Sequence, residues 1–198
     1  MITLAMDTSH KHLAVALIKD NKIINKYCEL CPKKQSEYLM PVIDSLCKEA
    51  NVKPLAIDSV VCSIGPGSYT GVRIALTSAK VICALRNIPL YTISTLDLLS
   101  DDNCAVILDA RSNRAYYGIY KNGQLVDDIN VDTLENITKL IEDNKIIGDA
   151  SLFKQEDNYP DIADNFLKHQ DKWHLEKNVD TVVPLYLKDA QSYMVKKG

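Results

Sequence analysis

A short glycine-rich segment holds the residues that could most directly do chemistry. Residues 65–71 read Gly-Pro-Gly-Ser-Tyr-Thr-Gly and contain three of the chain's seven glycines. They follow an apolar run and precede a long stretch with helical spacing, which predicts a strand, a turn and a helix. Because a helix N-terminus presents free amide groups and the positive end of the helix dipole, this unit is a potential anion site.

Neither standard phosphate-binding loop fits the segment. A P-loop beginning at Gly65 would need glycine at Thr70, and one beginning at Gly67 would need glycine at Val72. The dinucleotide fingerprint also requires its third glycine where Thr70 stands. A tight turn that lets a helix pack closely on a strand is therefore an equally good interpretation.

Two aspartates occupy corresponding places in the two halves of the chain. Asp7 ends the first apolar run, and Asp109 ends the run that opens the second half. Carboxylates facing each other across a cleft can hold Mg²⁺, as in nucleotide phosphotransferases. Each aspartate can instead cap a turn through its side-chain oxygen, so both interpretations stay open.

Groups for covalent or metal-assisted catalysis are scarce. Nucleophilic catalysis needs Ser or Cys beside His, but the four histidines lie near residue 11 and after residue 168. Cys28 and Cys31 form one Cys-x-x-Cys pair without the second pair or spaced histidines of a zinc site. We therefore expect no catalytic residue, no metal and no cofactor.

The composition indicates a folded chain with its own core. The 198 residues are 46% hydrophobic and carry a net charge of −3, which gives no overall basic surface for nucleic acid. No stretch approaches the ~18 apolar residues of a membrane span, and no basic region precedes the first apolar run. With six cysteines and no export signal, a reduced, cytoplasmic compartment is the simpler expectation.

Hydrophobic periodicity predicts a mixed α/β chain. The predicted strands are residues 2–6, 13–18, 22–28, 58–64, 88–93, 105–108, 115–120, 124–131 and 145–147. The predicted helices are residues 36–50, with Ser36 as N-cap and Pro41 as a kink or true start, 72–86, 133–143 and 162–169. Asp20-Asn21 and Asn122-Gly123 predict hairpin turns. Because both halves open alike, we expect two tandem α/β subdomains, residues 1–98 and 99–198.

The helix after the glycine loop is apolar around much of its circumference. Gly71, Ala75, Ala79 and Cys83 recur every four residues and form one ridge of small side chains. Such a ridge allows another helix to approach closely. A helix apolar on several sides needs a second cover besides the sheet, either the preceding helix or a partner protein.

Several segments together resemble the TsaB (YeaZ) family. They are Asp7-Thr-Ser9, Gln35-Ser-Glu-Tyr-Leu-Met-Pro41, residues 65–73, Ala79-Lys80, Asp109-Ala-Arg111 and Pro184-Leu-Tyr-Leu-Lys188. The segments follow the family order over essentially the whole chain, and residues 65–73 are the most specific. The resemblance implies an actin-like (ASKHA) α/β fold of two tandem subdomains, each with a mixed sheet of about five strands and flanking helices.

The resemblance also implies a function. Members of this family act in making threonylcarbamoyladenosine beside the tRNA anticodon, as non-catalytic partners of the metal-bearing paralogue TsaD, and the pair recruits the ATPase TsaE. The His-x-x-x-His metal motif of TsaD is missing here, since residues 35–50 contain no histidine. We expect direct contact with TsaD, a homodimer when the chain is alone, tRNA contact at most through partners, and no membrane association.

Two sets of site residues follow from the resemblance. The family pairs through its first two long helices. We therefore expect the following residues to lie at or beside the partner surface: Tyr38, Leu39, Val42, Leu46, Gly71, Arg73, Ile74, Ala75 and Ala79. A tryptophan at Ala75 is expected to block the partner and leave the fold intact. A vestigial nucleotide cleft would be formed by Asp7, Thr8, Gly65, Gly67, Ser68, Thr70 and Asp109.

Two other functions remain as alternatives. One is an active ASKHA small-molecule kinase with Mg-ATP held by Asp7 and the glycine loop; micromolar ATP binding and phosphate transfer would favour it. The other is a glycoprotease-like hydrolase, which the missing His-x-x-x-His motif disfavours and one equivalent of bound zinc or iron would revive.

Overall fold

The computed structural model describes residues 1–141 and 144–187. The strands in chain order are β1 (Ile2–Asp7), β2 (His12–Lys19), β3 (Lys22–Leu30), β4 (Ser59–Ser63), β5 (Leu90–Ile93), β6 (Cys104–Arg111), β7 (Arg114–Lys121), β8 (Gln124–Leu125), β9 (Asn130–Thr133), β10 (Ile146–Gly148) and β11 (His174–Leu175). The helices are α1 (Gln35–Glu49), α2 (Tyr69–Arg86), α3 (Thr95–Leu99), α4 (Leu134–Ile141) and α5 (Ile162–Lys168). This is the predicted mixture of strands and helices.

The chain forms two compact units. The first contains residues 1–98 and 161–184, and the second contains residues 99–160 and 185–187. Residues 161–184 were expected in the second half, but α5 contacts β1, β2 and β3, and β11 pairs with β5. The chain therefore returns to the first unit to complete its sheet.

The first unit is built on a six-stranded sheet in the order β11-β5-β4-β1-β2-β3. β1 is parallel to β4 and antiparallel to β2. Successive residues of β3 show which helix covers which face, because strand side chains alternate. Asn25 bonds the Leu46 carbonyl of α1, whereas the Lys26 ammonium contacts Asp161 and Asp164 beside and within α5. α1 and α5 thus cover opposite faces.

The second unit repeats the central pairing on a smaller scale. Its five-stranded sheet runs β10-β6-β7-β8, with β9 also paired to β7. β6 is parallel to β10 and antiparallel to β7, as β1 is to β4 and β2. This repetition agrees with the expected duplication. The single strand predicted over residues 124–131 is wrong, because it is two short strands that pair with different parts of β7.

The structure confirms some of the turns and helix ends that the sequence predicts and contradicts others. Both predicted hairpin turns are present, with positive φ at Asp20, Asn21, Asn122 and Gly123. The predicted N-cap Ser36 is wrong, because α1 begins at Gln35 after Lys34, which makes no side-chain cap. Pro41 lies inside α1 and does not mark its start. The helix predicted over 133–143 ends at Ile141, and residues 142 and 143 lie outside the described residues.

α2 is covered partly by its own chain. Its inner residues join the core cluster that includes Leu4, Met6, Val60 and Cys62 of the sheet, and α1 contacts it as well. Val179 and Val182 from the C-terminal return also pack on this cluster. Within residues 1–141 and 144–187, no helix is long and apolar enough to cross a membrane.

Candidate functional site

The turn between β1 and β2 is the point to which both long helices are attached. The Ser68 amide, at the N-cap of α2, donates to the Ser9 carbonyl at 2.7 Å. The Gln35 side-chain amide, at the first residue of α1, donates to the His10 carbonyl at 2.7 Å. The Cys31 amide, just before α1, donates to the Lys11 carbonyl at 2.9 Å. One short turn therefore places the beginnings of both helices.

Thr8 joins this turn to α2 through its side chain. Its hydroxyl donates to the Gly71 carbonyl at 2.6 Å and accepts from the Ala75 amide at 3.0 Å. These two backbone groups are i, i+4 partners within a helix, so the Thr8 hydroxyl bridges them. Thr8 is fully buried, and its contacts fix the first turns of α2 against the end of β1.

Each of the three loop positions requires glycine for its own structural reason. A Cβ at Gly71 would lie 2.2 Å from the Thr8 carbonyl oxygen, and one at Gly67 would lie 2.3 Å from the Ser9 carbonyl oxygen. Gly65 has φ 94°, in the region that favours glycine. The loop therefore brings α2 into backbone contact with the end of β1, as the packing interpretation requires.

Three amide groups of the loop and the start of α2 make hydrogen bonds inside the protein. The Ser68 amide bonds Ser9, the Gly71 amide bonds the Ser68 hydroxyl at 3.2 Å, and the Val72 amide bonds the Ser68 carbonyl at 2.9 Å. Ser68 thus caps α2 in the ordinary way. Thr70 lies exposed in the first turn. With these donors engaged, the geometry favours a packing role for the loop over an anion cradle.

Asp7 is a buried carboxylate held by neighbouring groups. Its Oδ1 accepts from the Ser63 hydroxyl and from the Ser9 amide at 3.1 Å. The His10 Nδ1 lies 3.5 Å from Oδ2, and the His10 Nε2 lies 3.1 Å from the His12 Nδ1. Burial raises the pKa of Asp7, but His10, Ser63 and Ser9 together outweigh burial and leave this pKa below its ordinary value.

This lowered pKa predicts acid sensitivity of the first unit. A carboxyl whose folded pKa is depressed stabilises the fold above its unfolded pKa of about 3.9, and that contribution is lost as pH falls through the folded value. We expect the Asp7→Asn variant to be less stable than wild type at pH 7 and to lose less stability below about pH 4. Urea unfolding from pH 7 to pH 2.5 tests this. Parallel curves for the two proteins would contradict it.

Asp109, the other proposed cleft carboxylate, lies in the second unit. It is exposed, and its Oδ1 accepts from the Arg111 amide at 2.6 Å, as a turn-capping aspartate does. Its own amide donates to Asp149 Oδ2 at 2.8 Å, and Tyr159 donates to the other oxygen of Asp149. Burial, with Asp149 nearby, raises the pKa of Tyr159. A nucleotide cleft that includes Asp109 stays a prediction.

The small-residue ridge of α2 faces inward. Gly71, Ala75, Ala79 and Cys83 are buried, and Ala75 and Ala79 are completely so. Leu39 and Leu46 of α1 are likewise buried in the same core cluster. These six residues pack the helices within the unit. That the ridge lies at or beside a partner surface stays a prediction.

The remaining residues of the proposed interface are accessible. Tyr38 and Arg73 are exposed, whereas Val42 and Ile74 are half-buried. The Arg73 guanidinium lies over the Tyr69 ring, 4.0 Å from its centre. Sequence reasoning missed other exposed apolar side chains on the same two helices, which are Met40, Tyr69, Val81 and Leu85. Their helical positions away from the buried ridge could have revealed them.

The cysteines and possible metal ligands are the candidate reactive groups in the described part of the chain. No group of three or more His, Cys, Asp or Glu side chains there is arranged to hold a metal ion. All six cysteines are free thiols. Burial raises the pKa of Cys83 to about 11 and raises that of Cys62 as well. These two thiols are therefore poor nucleophiles at neutral pH.

Comparisons with known proteins agree with this architecture. Residues 16–179 match the TsaD family model, described as tRNA N6-adenosine threonylcarbamoyltransferase. The solved structure of YeaZ from Pseudomonas aeruginosa superposes with a TM-score of 0.76 at 23% identity, covering 94% of this chain and 99% of that one. The fold is therefore of the actin-like class, as expected.

Curated relatives identify the branch within that class. The protein named tRNA threonylcarbamoyladenosine biosynthesis protein TsaB in Bacillus subtilis (strain 168) is 36% identical, covering 78% of this chain and 74% of the relative. Its namesake in Buchnera aphidicola subsp. Schizaphis graminum (strain Sg) is 30% identical, covering 92% and 91%. The chain belongs to the TsaB (YeaZ) family.

Proposed function

We propose that this protein is a non-catalytic subunit of the machinery that makes threonylcarbamoyladenosine in tRNA. In this role it binds TsaD directly and TsaE through the TsaD complex. Family membership supports the biosynthetic role, since relatives carry that name. The observation that carries the docking part of the proposal is the exposed apolar surface of α1 and α2.

This surface, called the docking face here, consists of Tyr38 of α1 and of Tyr69, Arg73, Val81 and Leu85 of α2. Leu85 is 82% exposed and Val81 is 51% exposed, although both lie on a helix whose other side is core. Aromatic residues and Arg are enriched at protein interfaces, and exposed apolar patches mark such sites. Burial of these side chains by a partner would remove apolar area from water.

The glycine loop and Asp7 support a non-catalytic role. The Ser68 amide and the Thr8 hydroxyl join α2 to the turn after β1. The Asp7 carboxylate is engaged by Ser63, Ser9 and His10. Groups occupied in this way stabilise the fold. We propose that the loop's principal role is to place α2, and that any contact with tRNA passes through the partner proteins.

A charge on the docking face should abolish partner binding without unfolding the protein. We expect Leu85→Glu to weaken binding to TsaD from the same organism at least tenfold, because the complex would bury an unpaired carboxylate. Isothermal titration calorimetry measures the affinity. Val126→Glu is the matched control, since Val126 is 49% exposed in the second unit. Wild-type affinity in Leu85→Glu would remove this end of α2 from the proposed interface.

The isolated chain provides a second readout of the same face. We propose that without TsaD the docking face pairs with its own copy, because a twofold contact needs only self-complementarity. Sedimentation of wild type and Leu85→Glu compares the two states. A monomeric wild type would end this part of the proposal and leave TsaD binding untouched.

A further inference from the structure

A short segment of the C-terminal return lies along α2 and is held there by few contacts. Residues 178–182, called the strap here, follow β11 and contain the turn Val179–Thr181, which contacts α2. Asn178 caps this turn, because its side chain accepts from the Asp180 amide at 2.9 Å. Only Val179 and Val182 reach the core cluster, and the other three residues are exposed.

One lysine of α2 binds the strap through two hydrogen bonds. The Lys80 ammonium donates to the Asp180 carbonyl and to the Val182 carbonyl, both at 2.9 Å. These contacts join residues that are 100 and 102 positions apart in the chain. Both hydrogen bonds are charge-assisted, because the donor is the Lys80 ammonium, and such bonds are stronger than hydrogen bonds between neutral groups.

Lys80 stands beside the docking face. It follows Arg73 by about two helical turns on the same side of α2, and Arg73 belongs to the docking face. The strap thus packs against one flank of α2, next to side chains that the proposed partner would contact. Movement of the strap would free this flank of the helix and uncover apolar atoms around Val182.

We propose that the strap is a conformational device that holds α2 in the position a partner recognises, with Lys80 as the positioning residue that keeps it closed. This inference rests on the proposed function, because it concerns the same docking face. A segment with one buried side chain, Val182, one half-buried side chain, Val179, and a few hydrogen bonds opens more readily than a core strand. A partner that binds only the closed state gains affinity as the strap becomes more firmly fastened.

Hydrogen exchange and calorimetry on the full chain test the proposal. We expect Lys80→Met to raise amide exchange over residues 178–184 about tenfold, and to weaken TsaD binding roughly threefold to tenfold. Exchange in β4 should stay unchanged. Lys80→Arg, which keeps a charged donor, should restore both quantities. Lys48→Met is the control, since the exposed Lys48 pairs with Asp44, one turn earlier on α1.

The exchange and binding results for Lys80→Met can each contradict the proposal. Unchanged exchange in Lys80→Met would show that Lys80 does not hold the strap. Faster exchange with wild-type affinity would show that the strap opens without affecting the docking face. Either result overturns this inference and leaves the proposed function standing if Leu85→Glu still weakens binding. Failure of the wild type and of Lys48→Met to bind TsaD would overturn the proposed function itself.

Discussion

The Gly71→Ala variant is expected to be strongly destabilised in its first unit. The added Cβ would lie 2.2 Å from the Thr8 carbonyl oxygen, a backbone atom that cannot move aside without shifting the end of β1. Overpacking of this kind costs about 3 kcal/mol, at the upper end of the usual range. In a unit of this size, that corresponds to roughly a 10 °C fall in melting temperature. Thermal unfolding followed by circular dichroism measures it.

The direction of the stability change distinguishes a steric clash at Gly71 from the usual effect of this substitution. At an ordinary position inside a helix, replacing glycine with alanine stabilises by about 1 kcal/mol, because alanine has the higher helix propensity. Thr77→Ala, at an exposed position of the same helix, is the control and should be neutral or slightly stabilising. A Gly71→Ala protein as stable as wild type would mean that α2 does not approach Thr8 this closely.

A tryptophan at Ala75 is expected to unfold the first unit. Ala75 is completely buried in the core cluster, and its amide bonds the Thr8 hydroxyl. A large ring has no space there, so the cost should exceed the ~1–3 kcal/mol of ordinary overpacking. Loss of TsaD binding in this variant would therefore report unfolding, contrary to the expectation from the sequence that the fold would survive.

A surface tryptophan on the same helix separates the two effects. Thr77→Trp, at an exposed position, should leave the circular dichroism spectrum and melting temperature close to wild type. We expect the Ala75→Trp chain to lose its cooperative thermal transition or to accumulate in insoluble form. A cooperative transition within a few degrees of wild type in Ala75→Trp would show that the small-residue ridge faces outward after all.

Local signals in the sequence predicted the parts of the fold that local energetics determine. Asp20-Asn21 and Asn122-Gly123 form the predicted turns because few other residues adopt positive φ so readily. The helix around residues 162–168 was predicted from its own apolar spacing. The place where this helix packs could not be predicted. Its packing on β1, β2 and β3 depends on contacts between residues more than 130 positions apart, such as Lys26 with Asp161.

The site shows a different limit of sequence reasoning. Spacing correctly grouped Gly71, Ala75 and Ala79 on one face of α2, but periodicity does not say which face of a largely apolar helix turns inward. The ridge packs on the sheet, and the bulkier Val81 and Leu85 are left exposed. The strap was also unforeseen, because Lys80 bonds backbone carbonyls, which carry no sequence signal.

The β1–β2 turn has a consequence for where the chain tolerates insertions. Residues 8–11 place the starts of α1 and α2, so an extra residue there would shift both helices at once. The β2–β3 turn at Asp20-Asn21, at the other end of β2, is exposed and connects two strands directly. A peptide tag or a fluorescent reporter therefore belongs at residues 20–21, where the docking face would keep its geometry.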